Sequence, residues 1–437
     1  MYLERNIDRE LLIWKEEKRR KPLLIRGARQ VGKSSSVRKL GESFDLFLEI
    51  NFEEHKSVHS LFEGDLTPHV LCENLSVMFD MDIVPGKTLL FFDEIQACVP
   101  AISALRFFYE KMSDLHVIAA GSLLEFALAE LPSFGVGRIR SVYLYSLSFD
   151  EFLLGMGQAN LLNLKKKANA QHPLPGPVHI KLLGYLKKFL ILGGMPEVVD
   201  KYVVENDLRA CQRILDDLVS SYQTDFAKYK SRVPVSRIKE IFEAIVRQGG
   251  GKFVYKKASQ NLNSGQIKET LDLLIMAGLV IPVIHSSANG IPLGAEANSK
   301  KRKMLLLDTG IFQRLLKLNI SDLLFSDEFN LVNKGGLAEQ FLGLEILKNA
   351  SCYEQTELFY WHREALNSNA EVDYLIQKGS EIVPIEVKSG SKGSMNSMYL
   401  FLKEKNVKYG CRLSLENFAE YDNIMVYPLY AYPNILE

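Results

Sequence analysis

The stretch PLLIRGARQVGKSSSVRKL, residues Pro22–Leu40, is the most informative part of the sequence for the fold of the N-terminal region. It begins with an apolar run, Leu23–Ile25, passes through the spacing G-x-x-x-x-G-K-S from Gly27 to Ser34, and continues into a segment with helical character. A strand, a glycine-rich loop and a helix in this order form a P-loop, in which successive backbone N–H groups curl around phosphates. The stretch therefore predicts an α/β fold with a nucleotide site at the end of its first strand.

The side chains of this loop are of the types that nucleotide phosphates require. Lys33 is placed to reach the β- and γ-phosphates of ATP, and Ser34 is placed to ligate Mg²⁺. The N-terminus of the following helix adds its dipole to the attraction. The predicted ATP contacts are the consecutive residues Gly27, Ala28, Arg29, Gln30, Val31, Gly32, Lys33, Ser34 and Ser35.

A second stretch, GKTLLFFDEIQ at residues 86–96, has the pattern of a buried parallel strand that ends in two carboxylates. Asp93 would hold Mg²⁺ through water, and Glu94 would polarise the water that attacks the γ-phosphate. A helix N-cap is the alternative role for Asp93. A third apolar run, in LHVIAAGSLLEFAL at residues 115–128, places Ser122 beside the other strand ends as a sensor of the γ-phosphate or the water.

The order of short motifs resembles the AAA+ branch of P-loop ATPases, and within it a bacterial and archaeal family of predicted ATPases with an uncharacterised C-terminal domain. The motifs are GARQVGKS, LLFFDEIQ, AAGS, GRIRSVYLYSLSFDEFL, GGMPEVV, LLLDTGI, EVDYLI and IEVKSG. The resemblance implies a homo-oligomer in which an arginine before the last core strand reaches the γ-phosphate bound by a neighbouring subunit. We assign that catalytic role to Arg138 rather than to Arg140. The alternative is that both arginines are solvated or pair locally with Glu125 or Asp150.

Near the C-terminus, EIVPIEVKSG at residues 381–390 places two charges inside an apolar strand. Glu386 and Lys388 are two residues apart and therefore point to the same face. Three strands are predicted here, at residues 358–362, 371–377 and 381–389, and Asp373 lies on the strand next to Glu386. Upstream, GGLAEQFLGLEILKN predicts an amphipathic helix that presents Glu339. The alternative is an edge strand with one solvated face.

This set of residues resembles the PD-(D/E)xK nuclease superfamily. The resemblance implies that Asp373 and Glu386 ligate Mg²⁺, or Mn²⁺ as the alternative ion, together with the Val387 carbonyl, and that Glu339 completes the acidic cluster. Lys388 would activate or orient the attacking water. Asp373 is preceded by Val rather than by the usual Pro of the superfamily. The alternative is a domain of this fold that binds its partner without cutting it.

The middle of the chain contains a predicted loop or insertion at residues 155–179, followed by a helix that ends at Gly193. Residues 235–307 are typical of a winged helix, with two amphipathic helices and two strands around a polar turn. From Phe226 to Gln260 there are nine Lys or Arg residues and two acids, an excess that favours contact with DNA phosphates. The alternative role of a winged helix is to connect domains or to bind protein.

Composition limits the class of protein. The 437 residues carry no net charge, so only a local patch can attract a polyanion. No run of about 18 apolar residues and no signal peptide is visible, which predicts a cytoplasmic protein without membrane contact. The five cysteines are scattered without C-x-x-C spacing, which argues against a disulfide framework or a zinc site.

Together these patterns predict an α/β protein with a P-loop AAA+ core, a helical lid, a winged helix and a restriction-endonuclease-like domain. The predicted function is Mg²⁺-dependent ATP hydrolysis coupled to DNA binding, with metal-dependent DNA cleavage as a further activity. The alternative class is a nucleotide-gated signalling or interaction protein. The predicted domains are residues 1–155 (core), 156–230 (linker and lid), 231–325 (winged helix) and 326–437 (nuclease-like domain).

Overall fold

We describe the fold from a computed structural model. The structure describes residues 1–131, 135, 137–229, 232–318, 336–363, 365, 369–388, 390 and 394–436. The predicted domain boundary at 325/326 and the predicted strand end at 389 lie outside these residues. The chain divides into two compact units: the first contains Met1–Ser146, Met276–Gly278 and Ser351–Gln355, and the second contains Leu147–Ile275, Leu279–Ala350 and Thr356–Glu437.

The first unit is built on a sheet of five short apolar strands. In chain order they are β1 (Leu23–Arg26), β2 (Leu46–Asn51), β3 (Thr88–Asp93), β4 (His116–Ala120) and β5 (Arg140–Tyr143). Their order in the sheet is β2-β3-β4-β1-β5, and every neighbouring pair is parallel. The carboxyl ends of all five strands therefore lie at one edge, where open α/β sheets bind their ligands.

The described residues of the first unit form five α-helices: α1 (Asn6–Lys15), α2 (Lys33–Gly41), α3 (Pro68–Phe79), α4 (Val99–Lys111) and α5 (Leu124–Glu130). Strands β3 and β4 are buried along their whole length, as expected for central strands covered on both faces. Their side chains pack with the helices in one hydrophobic cluster that includes the rings of Phe52, Phe62, Phe92 and Phe108. This core fixes the strand ends that carry the predicted nucleotide site.

The second unit is built on a mixed sheet of eight strands. They are β6 (Val280–Ser286), β7 (Ala297–Leu306), β8 (Leu358–His362), β9 (Glu371–Lys378), β10 (Glu381–Val387), β11 (Gly410–Ser414), β12 (Ala419–Tyr421) and β13 (Ile424–Pro428). Their order is β12-β13-β11-β10-β9-β8-β6-β7. Strand β6 pairs with β7 in an antiparallel hairpin and with β8 in parallel. The predicted wing strands are therefore the edge of the sheet that also carries the predicted nuclease-like strands.

The α-helices of the second unit follow the chain in three groups. Before the sheet come α6 (Phe149–Gly155), α7 (Ala159–Lys167), α8 (Gly176–Leu192), α9 (Pro196–Glu205), α10 (Leu208–Asp225), α11 (Val235–Arg247), α12 (Tyr255–Ala258) and α13 (Ser264–Met276), the last of which ends in the first unit. Between β7 and β8 are α14 (Thr309–Leu315) and α15 (Gly336–Lys348), and later come α16 (Asn396–Lys405) and α17 (Pro433–Leu436). In the described part of the chain, no helix is long and apolar enough to cross a membrane.

Two segments differ from the sequence-based description. Helix α7 occupies part of the predicted loop, because Leu161 and Leu162 are buried and the Lys165 ammonium pairs with the Asp150 carboxylate at 2.6 Å. Helix α6, which we placed in the core domain, belongs to the second unit. Its Phe149 ring packs edge-on against Phe189, 5.7 Å between centroids, so this helix is part of the second core.

Candidate functional site

The P-loop is shaped by backbone conformations that favour glycine. Gly27 and Gly32 have φ angles of 145° and 99°, and Gln30 also lies in the left-handed region with φ 64°. A Cβ atom on Gly27 would lie 2.1 Å from the Leu144 carbonyl oxygen, so a side chain at position 27 would displace the backbone that follows β5. The loop can therefore keep this course only with glycine at its first position.

Lys33 begins helix α2 and folds back over the loop. Its Nζ donates hydrogen bonds to the carbonyl oxygens of Gly27 at 2.9 Å and Ala28 at 2.7 Å, and the residue is 7% exposed. Burial lowers the pKa of Lys33 to about 8, against the opposing effect of the Glu94 and Asp93 carboxylates. The ammonium thus has only neutral partners within hydrogen-bonding distance among the described contacts, and a phosphate would be a stronger partner.

The two residues predicted to ligate Mg²⁺ are in contact. The Ser34 hydroxyl donates to Asp93 Oδ2 at 2.8 Å, and Asp93 Oδ1 accepts the Glu94 N–H at 3.0 Å. Burial raises the pKa of Asp93, with the Glu94 charge adding to the effect and the Ser34 hydrogen bond opposing it. A hydroxyl and a carboxylate are the hard oxygen donors that Mg²⁺ prefers, so this pair fits the ion.

Glu94 and Ser122 also come together at the strand ends. Glu94 lies in the left-handed region with φ 46°, and its Oε2 accepts hydrogen bonds from the Gln96 amide at 2.6 Å and from the Ser122 hydroxyl at 3.3 Å. Gly121 makes room for this contact, because a Cβ there would lie 2.1 Å from Gln96 Oε1. Sequence reasoning missed Gln96, although it lies only two residues beyond the predicted catalytic glutamate.

The two candidate trans-acting arginines are engaged in ion pairs within the first unit. The Arg138 guanidinium pairs with Glu110, with the Arg138 side chain 49% exposed, and Arg140 pairs with Glu17 at 2.5 Å. Glu125, which we named as a possible local partner, instead pairs with Arg26 at the end of β1. A role for Arg138 in a neighbouring subunit stays a prediction.

In the second unit, strands β9 and β10 bring the predicted nuclease-like residues together. Asp373 Oδ2 accepts the Val387 N–H at 2.8 Å, which fixes Asp373 beside the Glu386-to-Lys388 stretch. The Lys388 ammonium donates to Glu386 Oε1 at 2.6 Å. Glu386 is 5% exposed, and its other oxygen, Oε2, is buried without a hydrogen-bond partner among the described residues. Burial raises the pKa of Glu386, with Asp373 adding to the effect and Lys388 opposing it.

A residue that sequence reasoning did not assign lies at the centre of this cluster. The Lys303 ammonium, from β7, contacts Glu371 Oε1 at 2.6 Å, Glu339 Oε2 at 2.9 Å and Asp373 Oδ1 at 3.5 Å. Burial alone would lower the pKa of Lys303, but the three carboxylates raise it well above its usual value. Burial and the Asp373 charge raise the pKa of Glu339, whereas the Lys303 ammonium opposes the rise and favours the ionised carboxylate. Lys303 therefore stays protonated at neutral pH.

The predicted metal ligands are thus divided between two ammonium groups. Glu339 and Asp373 both contact Lys303, whereas Glu386 contacts Lys388. Over the residues that the structure describes, no group of three or more His, Cys, Asp or Glu side chains is arranged to hold a metal ion. The metal set stays a prediction. The missed signal was in KKRKMLLLD at residues 300–308, where Lys303 directly precedes an apolar run and so falls in the buried part of its strand.

Comparison with protein families gives matches over three parts of the chain. A family described as "AAA domain" matches residues 19–153. Two families described as domains of unknown function match residues 183–322 (DUF8612) and 334–432 (DUF4143). No curated protein matches the sequence. The end of the first of these two matches, at residue 322, and the start of the second, at residue 334, both lie between α14 and α15, outside the described residues.

Several solved structures are similar to the chain at low identity. The Walker-type ATPase PABY2304 of Pyrococcus abyssi has 14% identity and a TM-score of 0.46, covering 72% of this chain and 96% of that one. The Orc1 protein of Aeropyrum pernix, solved in complex with DNA, has 11% identity and a TM-score of 0.30, covering 74% and 93%. PCH-2 of C. elegans has 13% identity and a TM-score of 0.25, covering 42% and 56%. The family match over residues 19–153 and the parallel sheet support a P-loop ATPase core of the AAA type in the first unit.

Proposed function

We propose that this protein hydrolyses ATP with Mg²⁺ and couples hydrolysis to the binding of DNA. The observation that supports ATP use is the meeting of Lys33, Ser34, Asp93, Glu94 and Ser122 at the carboxyl edge of one parallel sheet. The match to an AAA domain supports both ATP binding and hydrolysis.

The residues of the site have separate tasks in this proposal. The Lys33 ammonium exchanges its two carbonyl partners for phosphate oxygens and neutralises their charge. Ser34 and Asp93 would hold Mg²⁺, which supplies further positive charge at the phosphates. Glu94 orients a water for attack once its carboxylate leaves Gln96, and Ser122 senses the change from its place beside Glu94.

The DNA part of the proposal depends on exposed basic side chains in the second unit. Lys256 and Lys257 on α12 are exposed, and so are Arg232 and Lys239 around the start of α11. Such side chains bind phosphates without regard to sequence, and their binding weakens steeply with salt. We take the four predicted domains, assembly into a homo-oligomer with Arg138 acting in trans, and a cytoplasmic location as parts of the same proposal.

ATP turnover of the full-length chain, measured with and without duplex DNA, tests the coupling. We expect DNA to raise turnover several-fold, and we expect Lys256→Gln/Lys257→Gln to lose this stimulation while keeping the rate without DNA. The matched control is Lys201→Gln, which replaces a solvent-accessible lysine of α9 in the same unit that pairs with Glu205. Equal turnover with and without DNA, at a salt concentration where DNA binds, would remove the coupling from the proposal.

A second candidate activity is metal-dependent cleavage of DNA in the second unit. The shared location of Asp373, Glu386 and Lys388 supports it, because two carboxylates and a lysine on paired strands can hold a divalent ion and orient a water. Nuclease assays with Mg²⁺ or Mn²⁺ on linear, branched and single-stranded DNA test it. Cleavage that survives Asp373→Asn would exclude this site as its source, and DNA binding without cleavage would favour the nucleotide-gated interaction protein.

A further inference from the structure

We propose that the Lys303 ammonium is the resident cation of the acidic cluster and excludes divalent metal while it is seated there. The acidic cluster is defined as Glu339, Glu371, Asp373 and Glu386. The inference rests on the proposed cleavage site, and it adds a residue that gates that site.

The geometry around Lys303 is that of a cation site already filled. Three carboxylates from two elements, α15 and β9, converge on one nitrogen at 2.6, 2.9 and 3.5 Å. Divalent ions in proteins bind the same kind of oxygen, supplied by several carboxylates around one point. A metal ion that uses Glu339 and Asp373 would therefore have to share oxygens with the ammonium, and the two positive charges would repel each other.

Lys303 is built into this position rather than resting on a surface. Its side chain is 3% exposed, and Nζ lies 5.4 Å from the centre of the buried Tyr360 ring. The backbone of its strand is held on both sides. Val283 of β6 is its partner on one side, and Lys252 forms an isolated bridge with it on the other. The ammonium can leave the cluster only if this edge of the sheet or the side chain rearranges.

The acidic cluster contains a carboxylate oxygen that its lysines do not contact. Glu386 Oε2 is buried and accepts no hydrogen bond from the described residues, and the whole Glu386 residue is only 5% exposed. Four carboxylates face three ammonium groups, since Lys388 contacts Glu386 and Lys252 contacts Glu371 at 3.0 Å in addition to Lys303. Removal of the central ammonium would leave repelling carboxylates that a divalent ion can stabilise.

Metal-dependent melting of the full-length chain, without nucleotide, tests the proposal. Wild-type protein and Lys303→Met are heated in Mn²⁺ and in EDTA, and bound Mn²⁺ is measured by its paramagnetic resonance signal. We expect no shift for the wild type, and a rise of about 3 °C or more in millimolar Mn²⁺ for Lys303→Met. The matched control is Lys252→Met, which removes an ammonium from the rim of the same cluster and should not create metal binding.

The outcomes separate this inference from the proposed cleavage. A Mn²⁺ shift in the wild type that Asp373→Asn abolishes would overturn the inference and leave the cleavage site intact. No shift in either protein would overturn both, because the cluster would then not hold a metal even when emptied. If Lys303→Met does not fold, Lys303→Met/Glu339→Gln restores the charge balance. Its Mn²⁺ shift, removed by a further Asp373→Asn, would support the inference, and its lack would overturn it.

Discussion

Each unit of the molecule places a buried lysine among carboxylates, and the two lysines are held in opposite ways. Lys33 donates to two neutral carbonyl oxygens, and burial lowers its pKa to about 8. Lys303 contacts three carboxylates, which raise its pKa well above the usual value in spite of burial. The difference shows that burial alone does not define a functional lysine. The unsatisfied charge of Lys33 is available to an anion, whereas that of Lys303 is already neutralised.

The largest expected effect concerns catalysis in the first unit. Lys33→Ala should abolish nucleotide binding, because it removes the cation that faces the phosphates. Glu94→Gln should keep nucleotide binding and lower turnover by about 10²–10⁴-fold, because in the proposed mechanism Glu94, and not Lys33, acts on the water. Binding of a fluorescent ATP analogue and release of phosphate measure the two properties separately.

A matched control is available on the same helix. Lys39→Ala removes an exposed lysine of α2 that pairs with Glu42 at the surface, and it should change neither property. Wild-type turnover by the Glu94→Gln protein would show that Glu94 is not the residue that activates water. The first unit would then lack the catalytic role that distinguishes it from the second unit in this comparison.

The next effect compares the two lysines directly through stability. Lys303→Met should lower the free energy of unfolding by about 3–5 kcal/mol, because it leaves buried carboxylates without their cation. Lys33→Met should cost about 1 kcal/mol or less, because the loss of two hydrogen bonds is offset by removal of a poorly compensated buried charge. The comparison fails if the two substitutions cost the same.

The chain offers one tryptophan in each unit for this measurement. Trp14 is fully buried in α1 and Trp361 is 3% exposed in β8. Urea unfolding followed by fluorescence in a Trp14→Phe background reports the second unit alone, and Trp361→Phe reports the first. Each lysine substitution is then compared with the wild-type residue in the matching background.

The smallest effect is a pH dependence that differs in sign between the units. Burial raises the pKa of Glu345 to about 7, opposed by Lys348 and Lys165 and reinforced by Asp150. The folded state therefore keeps its proton where the unfolded state has lost it, and stability falls by about 3 kcal/mol as pH rises from about 4.5 to about 7. In the first unit, burial lowers the pKa of His116 to about 4, so stability falls as pH decreases below about 6.5.

Substitution of each group should flatten its own slope. Glu345→Gln should reduce the loss seen by Trp361 as pH rises, leaving the part due to Glu339 and Glu386, whose pKa values burial also raises, and it should leave the signal of Trp14 unchanged. His116→Gln should remove the loss seen by Trp14 as pH falls. A second unit whose stability does not vary between pH 4.5 and 7 would mean that Glu345 is ionised in the folded state and is stabilised by its two lysines.

The meeting of the predicted nucleotide-site residues at the strand ends could be anticipated residue by residue because its signals are local. The P-loop spacing lies within eight consecutive residues, and Asp93, Glu94 and Ser122 each follow an apolar run that has the pattern of a buried strand. The parallel sheet then brings the strand ends together without further information. The contact between Gln96 and Glu94 was missed because it depends on the backbone turn at Glu94, which has φ 46°.

Individual strands of the second unit were predicted, but the long-range contacts between them were not. Strands β8, β9 and β10 were expected at nearly their observed bounds. The position of Lys303 depends on contacts 36 and 70 residues away, with Glu339 and Asp373. Such long-range charge pairing leaves no periodicity in the sequence. The pairing of β6 with β8 could not be predicted either, because the sequence of an apolar strand does not indicate which strand pairs with it.

The shared sheet has a consequence for how this gene can be rearranged. Strand β8 pairs with β6 from Leu358 to Tyr360. A protein that contained the residues from 336 onward without β6 would therefore expose the backbone of β8 at a sheet edge. A recombination event that moved only residues 334–432 to another gene would also leave Lys303 behind. We therefore expect genes that encode the C-terminal region to encode the β6–β7 hairpin before it as well. A protein without this hairpin would need another strand to pair with β8.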